Sequence, residues 1–283
     1  MSTRGSSGTS GGTAPVPVLM YHAVGHRPSR AAYGLSVSPE AFAAQMELLD
    51  AQGFTPLTTG ELGAAWRGSR AVLPPKPVLI TFDDGYEGVH RHALPVLARY
   101  GFRSSLFVTT LWLRGDEEGP GAPDTMLDWD QVRRLAAASA EIGGHSHSHP
   151  QLDQLDDARL RFEVLRCREI VADEVGGAPV SFAHPYGYSS RRVRQAVRDA
   201  GFAQALAVNN ALADPRQGPF ALHRLTVRRS TGIERFGRLV ENGARHRDLA
   251  RERVLTRGYA VVRRSRSALR LARRAREAAA GRV

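Results

Sequence analysis

Two carboxylates stand side by side where the most apolar stretch of the chain, Val78 to Phe82, runs into glycine: Thr81-Phe82-Asp83-Asp84-Gly85. Side chains alternate faces along a regular strand, so residues 83 and 84 reach one site only where the chain bends out of a sheet. In parallel α/β folds the C-terminal strand ends are where active sites sit. The alternative is a helix N-cap, in which Asp-Asp-Gly satisfies free N–H groups. Three imidazoles fall within five residues in His145-Ser146-His147-Ser148-His149-Pro150. On a helical turn His145 and His149 share one face and can grip a metal ion, with His147 turned away. If the segment is extended, all three line one face, and Pro150 biases His149 that way. A surface His-rich turn with incidental metal affinity is the third reading. Phe182-Ala183-His184-Pro185-Tyr186-Gly187 ends another apolar run, and its Pro and Gly imply a rigid turn that exposes the Tyr186 N–H, a donor suited to an oxyanion.

Such groups need a frame to hold them. Short apolar or β-branched runs at 17–21, 78–82, 105–109, 180–183, 205–208 and 222–227 alternate with stretches of helical period. That alternation predicts a parallel α/β fold. Ser38 and Pro39 make an N-cap and N1 pair, Phe42, Met46 and Leu49 share a face, and Gly53 supplies the stop. Further helices are predicted over 90–100, 130–138, 156–175 and 190–200, three of them stopping at Gly101, Gly176 and Gly201. No period of 20 to 50 residues repeats, which leaves a barrel or a doubly wound sheet.

The 283 residues are 42% hydrophobic and 24% charged, enough for one large domain with its own core. Residues 1–14 are mostly Ser, Gly and Thr and read as a leader without a packed core. No apolar run reaches the roughly 18 to 20 residues of a membrane span, and Val16 to Met20 is short even for a signal-peptide core, so a soluble, cytoplasmic protein is expected. The single cysteine, Cys167, rules out an internal disulfide and reads as a small buried residue on a helix. Most of the net charge of +11 sits between Arg251 and Val283, where eleven Arg face only Glu252 and Glu277. The rest of the chain is nearly neutral. With no interleaved aromatics and no recognition fold, a nucleic-acid role is a poor third choice. Leu255, Tyr259, Val262 and Leu269 fall near one helical face of that tail among the arginines, a pattern suited to an anionic membrane surface. A solvated helix packed on the body is the alternative.

Taken together the chemical segments resemble the polysaccharide deacetylase family, the NodB-homology carbohydrate esterases. Thr81 to Gly85 matches its T-F-D-D-G motif, His145 to His149 its H-[ST]-x-x-H motif, and Pro185 to Gly187 the end of R-x-P-Y-G. The likeness runs from Pro17-Val18-Leu19-Met20-Tyr21-His22 to Arg224-Leu225-Thr226-Val227 and takes in Ser38-Pro39-Glu40, Gly53-Phe54 and Asp128-Trp129-Asp130-Gln131. It implies a distorted (β/α) barrel of about seven strands. It divides the chain into a leader at 1–14, a catalytic domain at 15–245 and a basic tail at 246–283.

The resemblance also implies roles. Asp84, His145 and His149 would bind a divalent metal, read as zinc, while Asp83 acts as general base and Ser146 supports the histidine loop by hydrogen bonding. The motif Arg that orients the base is Ala183 here, and Arg224 is the residue expected to bring a guanidinium to Asp83 from another strand. The late L-x-x-H motif is missing, but Leu19-Met20-Tyr21-His22 repeats its pattern at the start, as in the poly-N-acetylglucosamine deacetylase branch, which makes His22 the acid. D-x-x-D-W is absent from its usual place, so Trp129 is the candidate aromatic wall, with a plain helix-start packing residue as the alternative. The activity implied is metal-dependent removal of an N-acetyl group from a sugar, with Tyr186 N–H at the oxyanion. Two rivals are an amide hydrolase with a non-sugar substrate and a silent metal- or glycan-binding member. His184 and His223 flank the implied site as candidate sugar contacts.

Overall fold

The computed structural model describes residues 14–68, 72–113 and 119–242. Of the sequence-derived divisions, the leader up to residue 13, the last three residues of the catalytic domain, 243–245, and the whole tail at 246–283 lie outside the described residues. Eight strands all pair in parallel: β1 Val18–Tyr21, β2 Thr55–Leu57, β3 Pro77–Asp84, β4 Ser104–Val108, β5 Ala140–Gly144, β6 Ser181–Ala183, β7 Gln204–Leu206 and β8 Leu225–Thr226. Their order is β7-β6-β5-β4-β3-β1-β8. β2 shares one edge of β3 with β4: it pairs with Pro77 to Leu79, and β4 takes over from Thr81. A parallel bridge between Leu206 and Leu222, just ahead of β8, links the two ends of the path and curls the sheet into the distorted barrel expected.

Among the described residues six α-helices fill the crossovers and a seventh follows β8: α1 Pro39–Ala51, α2 Thr59–Trp66, α3 Leu94–Tyr100, α4 Trp129–Ala137, α5 Asp157–Val175, α6 Arg191–Asp199 and, last, α7 Ile233–Asn242. None is long and apolar enough to cross a membrane, among the described residues. Ser38 caps α1 by accepting from Ala41 N–H, as its position predicts. The third helix starts later than the sequence suggests. A wide π-turn at Val89–Ala93 precedes it, because Pro95 has no N–H to continue the ladder backward.

The strands sort their side chains by alternation. Leu19, Tyr21, Val78, Ile80, Phe82, Leu106, Leu225 and Val227 face outward into the main core, where Phe42 of α1 meets Tyr21 and Phe82 at ring distances of 5.3 and 5.8 Å. Val18, Leu79, Phe107, Ala183 and Leu206 plug the barrel interior. The same inward face continues toward the C-terminal ends of the strands as Thr81, Asp83, Met20, His22 and Arg224, so the plug gives way to polar groups at that end. Cys167 is buried on α5, as read from the sequence.

Candidate active site

The inward alternation puts Asp83 into the barrel mouth and would send Asp84 to the opposite face. It does not, because Asp84 adopts a left-handed backbone, φ 75°, and swings into the same cleft. The Asp83 carboxylate is met by Arg224 in a two-pronged pair: Nη1 donates to Oδ1 at 2.6 Å and Nη2 to Oδ2 at 2.7 Å. Arg224, immediately before β8, is fully buried and also donates to Thr81 Oγ1 and Ala207 O at 3.4 Å each. Burial works to raise the Asp83 pKa, but Arg224 and His145 outweigh it and hold the carboxyl below its usual range.

The histidine segment is neither a helical turn nor an extended strand. It is a loop after β5 in which Ser146 (φ 67°) and His149 (φ 59°) are both left-handed. Ser146 Oγ accepts the His149 N–H at 3.0 Å, the supporting role expected of it. The loop brings His145 Nε2 and His149 Nε2 each to 3.3 Å from Asp84 Oδ1. His145 Nδ1 lies 2.8 Å from the Ala183 carbonyl, a bond that places the proton on Nδ1 and leaves Nε2 as a lone pair. His147 points away, its Nδ1 2.9 Å from Thr110 Oγ1 and its ring edge-on to Phe162. Burial lowers the His149 pKa to about 4. For His145 burial pulls the same way, but Asp83 and Asp84 prevail and raise it.

Asp84 Oδ1 is buried and has no hydrogen-bond partner, yet it stands at the centre of two imidazole lone-pair positions. The ligand atoms of Asp84, His145 and His149 lie within 4.8 Å of one another, which is the donor set and spacing of a three-ligand cation site with room for water. The residues therefore fit a divalent metal.

Around this centre lies a cleft of about 510 Å³, lined among others by His22, Tyr186, Tyr188, Val208, Asn210 and Arg228. His22 follows β1, is 8% exposed, and its Nδ1 has no partner. Burial lowers its pKa. Tyr186 occupies a left-handed position, φ 59°, at the cleft rim, and the His149 ring lies between Trp112 and Tyr186 at 4.8 and 4.7 Å. Gly187 beside it is obligatory: a Cβ there would sit 2.4 Å from Val208 Cβ.

Several expectations are corrected here. Trp129 does not line the cleft; it starts α4 and packs on the core, and Trp112 is the aromatic in contact with His149. His184 is fully buried, its Nε2 3.1 Å from Phe220 O, and His223 sits with Asn209 and Gln217; neither lines the cleft. Sequence reasoning also missed Glu163. This fully buried residue of α5 accepts Ser148 N–H at 2.8 Å and Ser148 Oγ–H at 2.6 Å, and its carbonyl accepts His147 N–H. Only its place on the inner helical face, with Leu160, Val164 and Cys167, could have flagged it.

A family profile described as polysaccharide deacetylase matches residues 70–205. YxkH of Bacillus subtilis is 25% identical over 229 residues, which cover 81% of this chain and 77% of that one. The poly-beta-1,6-N-acetyl-D-glucosamine N-deacetylase of Escherichia coli is 21% identical over 241 residues, 73% of this chain but 36% of the relative. Among solved structures, the Streptococcus pyogenes deacetylase PplD in complex with acetate superposes with a TM-score of 0.72 at 22% identity, over 81% of this chain and 99% of the other, which shows a shared fold.

Proposed function

We propose, from the premise that this chain belongs to the polysaccharide deacetylase family, that it is a metal-dependent hydrolase which removes the N-acetyl group of an N-acetylated sugar and releases acetate. The observation that carries the reading is the meeting, in one cleft, of the Asp84-His145-His149 triad with an Asp83 carboxylate fixed by Arg224. Two imidazoles and one carboxylate suit zinc. When bound, the metal would polarise the acetyl carbonyl and acidify the attacking water.

The chain's own groups supply the rest. Asp83 keeps free lone pairs beside its two Arg224 bonds and takes the water proton as the C–O bond forms. Tyr186 N–H, which no described acceptor engages, is placed to help hold the oxyanion at the cleft rim. As the C–N bond breaks, a charged His22 gives its proton to the leaving amine; burial disfavours that charge and makes the transfer easier. His22 at the end of the first strand supports the permuted motif order. Arg224 supplies the guanidinium that Ala183 cannot, which removes the main reason for a silent-member reading. The stacked Tyr186 and Tyr188 rings, 5.7 Å apart, offer a sugar an aromatic face.

The proposal extends to the chain ends. The continuous sheet and site support residues 15–245 as the catalytic domain, and the arginine-rich stretch at 246–283 supports peripheral contact with an anionic membrane, on its cytoplasmic face. Acetate release from N-acetylglucosamine oligomers, measured with and without chelator, tests the activity. Release abolished by chelator and restored by zinc is expected; folded, zinc-loaded protein that releases acetate only from non-sugar amides overturns it.

A further inference from the structure

The inward face of β8 does not end at Arg224. Leu225 and Val227 pack outward into the core, so Arg224, Thr226 and Arg228 share the side that looks into the barrel mouth. Arg224 is taken up by Asp83. Thr226 is 7% exposed, its N–H donates to Asn210 Oδ1, and its Oγ1 is buried with no hydrogen-bond partner. Arg228 stands two residues further on, half-buried in the cleft wall. Its backbone N–H is used by Thr231 Oγ1, but among the described residues no carboxylate pairs with its guanidinium.

A half-buried guanidinium and a buried hydroxyl lose water without gaining a partner in the free protein, an arrangement that favours a ligand able to supply acceptor oxygens. The cleft's other charges do not compete for it: Asp83 is neutralised by Arg224, and Asp84 faces the two histidines. Met20 of β1 pairs with Thr226 of β8, and His22 and Arg228, each two residues further along, line the same cleft. The unpaired cation therefore shares that cleft with the proposed acid.

We infer that Arg228, with Thr226 Oγ1, forms an anion subsite, and that the preferred substrate is an N-acetylated sugar whose ring or immediate neighbour carries a carboxylate or a phosphate. The inference rests on the deacetylase reading for the sugar and adds the charge. A guanidinium fork matches either oxyanion in two-pronged geometry.

The test is equilibrium binding to the full chain, with chelator and again with zinc, of three probes: an N-acetylglucosamine tetramer, the same tetramer as its 1-phosphate, and a tetrasaccharide containing N-acetylmuramic acid. At least one anionic probe should bind roughly tenfold or more tightly than the neutral one, and added salt should compress the ratio. The two anionic arms tell phosphate from carboxylate. In Arg228→Ala the ratio should fall to near unity, Arg228→Lys should keep part of it, and Arg228→Glu should invert it, each through KM rather than kcat where acetate release is followed. Equal binding of all probes, no anionic binding at millimolar concentration, or a ratio unchanged in Arg228→Ala overturns the inference. Acetate release without anionic preference would remove the subsite and leave the deacetylase reading standing. Anionic preference without acetate release from any sugar would do the reverse.

Discussion

At the scale of single residues the site depends on a buried ion pair whose members have separate duties. Asp83→Asn keeps the shape but not the basicity, so zinc content should stay near one per chain while turnover falls by two or more orders of magnitude. Arg224→Ala leaves a carboxylate buried without its partner and should lower unfolding stability by about 3–5 kcal/mol in urea titration. Arg224→Met combined with Asp83→Asn should regain most of that stability and none of the turnover, a result that a purely structural role for the pair would not give. The triad makes a pH prediction with a definite sign. Because the His145 pKa is raised, metal-free protein takes up a proton there at higher pH than an ordinary histidine does, and a cation must displace it. Zinc affinity measured by calorimetry should be full above that pKa and weaken about tenfold per pH unit below it. His149, lowered to about 4, adds a second proton only in stronger acid. His147→Ala should change neither zinc content nor this slope, since the ring faces Thr110 and Phe162.

Elements matter through the loops they pin. The histidine loop has two left-handed residues and would relax toward ordinary backbone if nothing held it. Glu163 holds it from α5 through Ser148, with Ser146 bonding from within. Glu163→Ala removes no ligand, yet zinc affinity should drop about 10- to 100-fold, the usual cost of losing an outer support. Wild-type affinity in that variant would show that the loop's conformation is set by its own sequence. β5 explains part of what the sequence left unread. Ala140-Glu141-Ile142-Gly143-Gly144 has weak strand character and is absent from the strands expected from sequence, but a Cβ at Gly143 would lie 2.6 Å from the Phe107 ring and 2.7 Å from Ser181 O. The strand needs glycine because β4 and β6 crowd it from both sides. β2 and α2 were similarly invisible: β2 is three residues long and contains Pro56, and α2 announces itself only by its Thr58 and Glu61 capping box.

For the whole molecule, charge is divided between a nearly neutral body and a strongly basic tail. If the tail binds anionic membranes, replacing the arginines between 251 and 283 by glutamine should abolish salt-sensitive sedimentation with vesicles containing anionic lipid and leave acetate release from soluble oligomers intact. Equal sedimentation of both proteins removes the membrane proposal. By itself the sequence determined the alternation of strands and helices, the C-terminal strand ends as the place of chemistry, and Asp83, Asp84, His145 and His149 as candidate groups, because periodicity and motif spacing are local properties written along the chain. His22 and Arg224 entered as candidates only through the resemblance to the deacetylase family. Only the tertiary structure decided how those groups meet. The left-handed backbone at Asp84 supplies the bend that the paired carboxylates required, and at Ser146 and His149 it replaces both the helical and the extended geometry weighed for the histidine segment. The Arg224 to Asp83 contact spans 141 positions, and the roles of Glu163, Trp112 and Arg228 likewise arise only where separate strands and helices converge on one cleft. Such contacts are fixed by packing across the barrel, which no local pattern encodes.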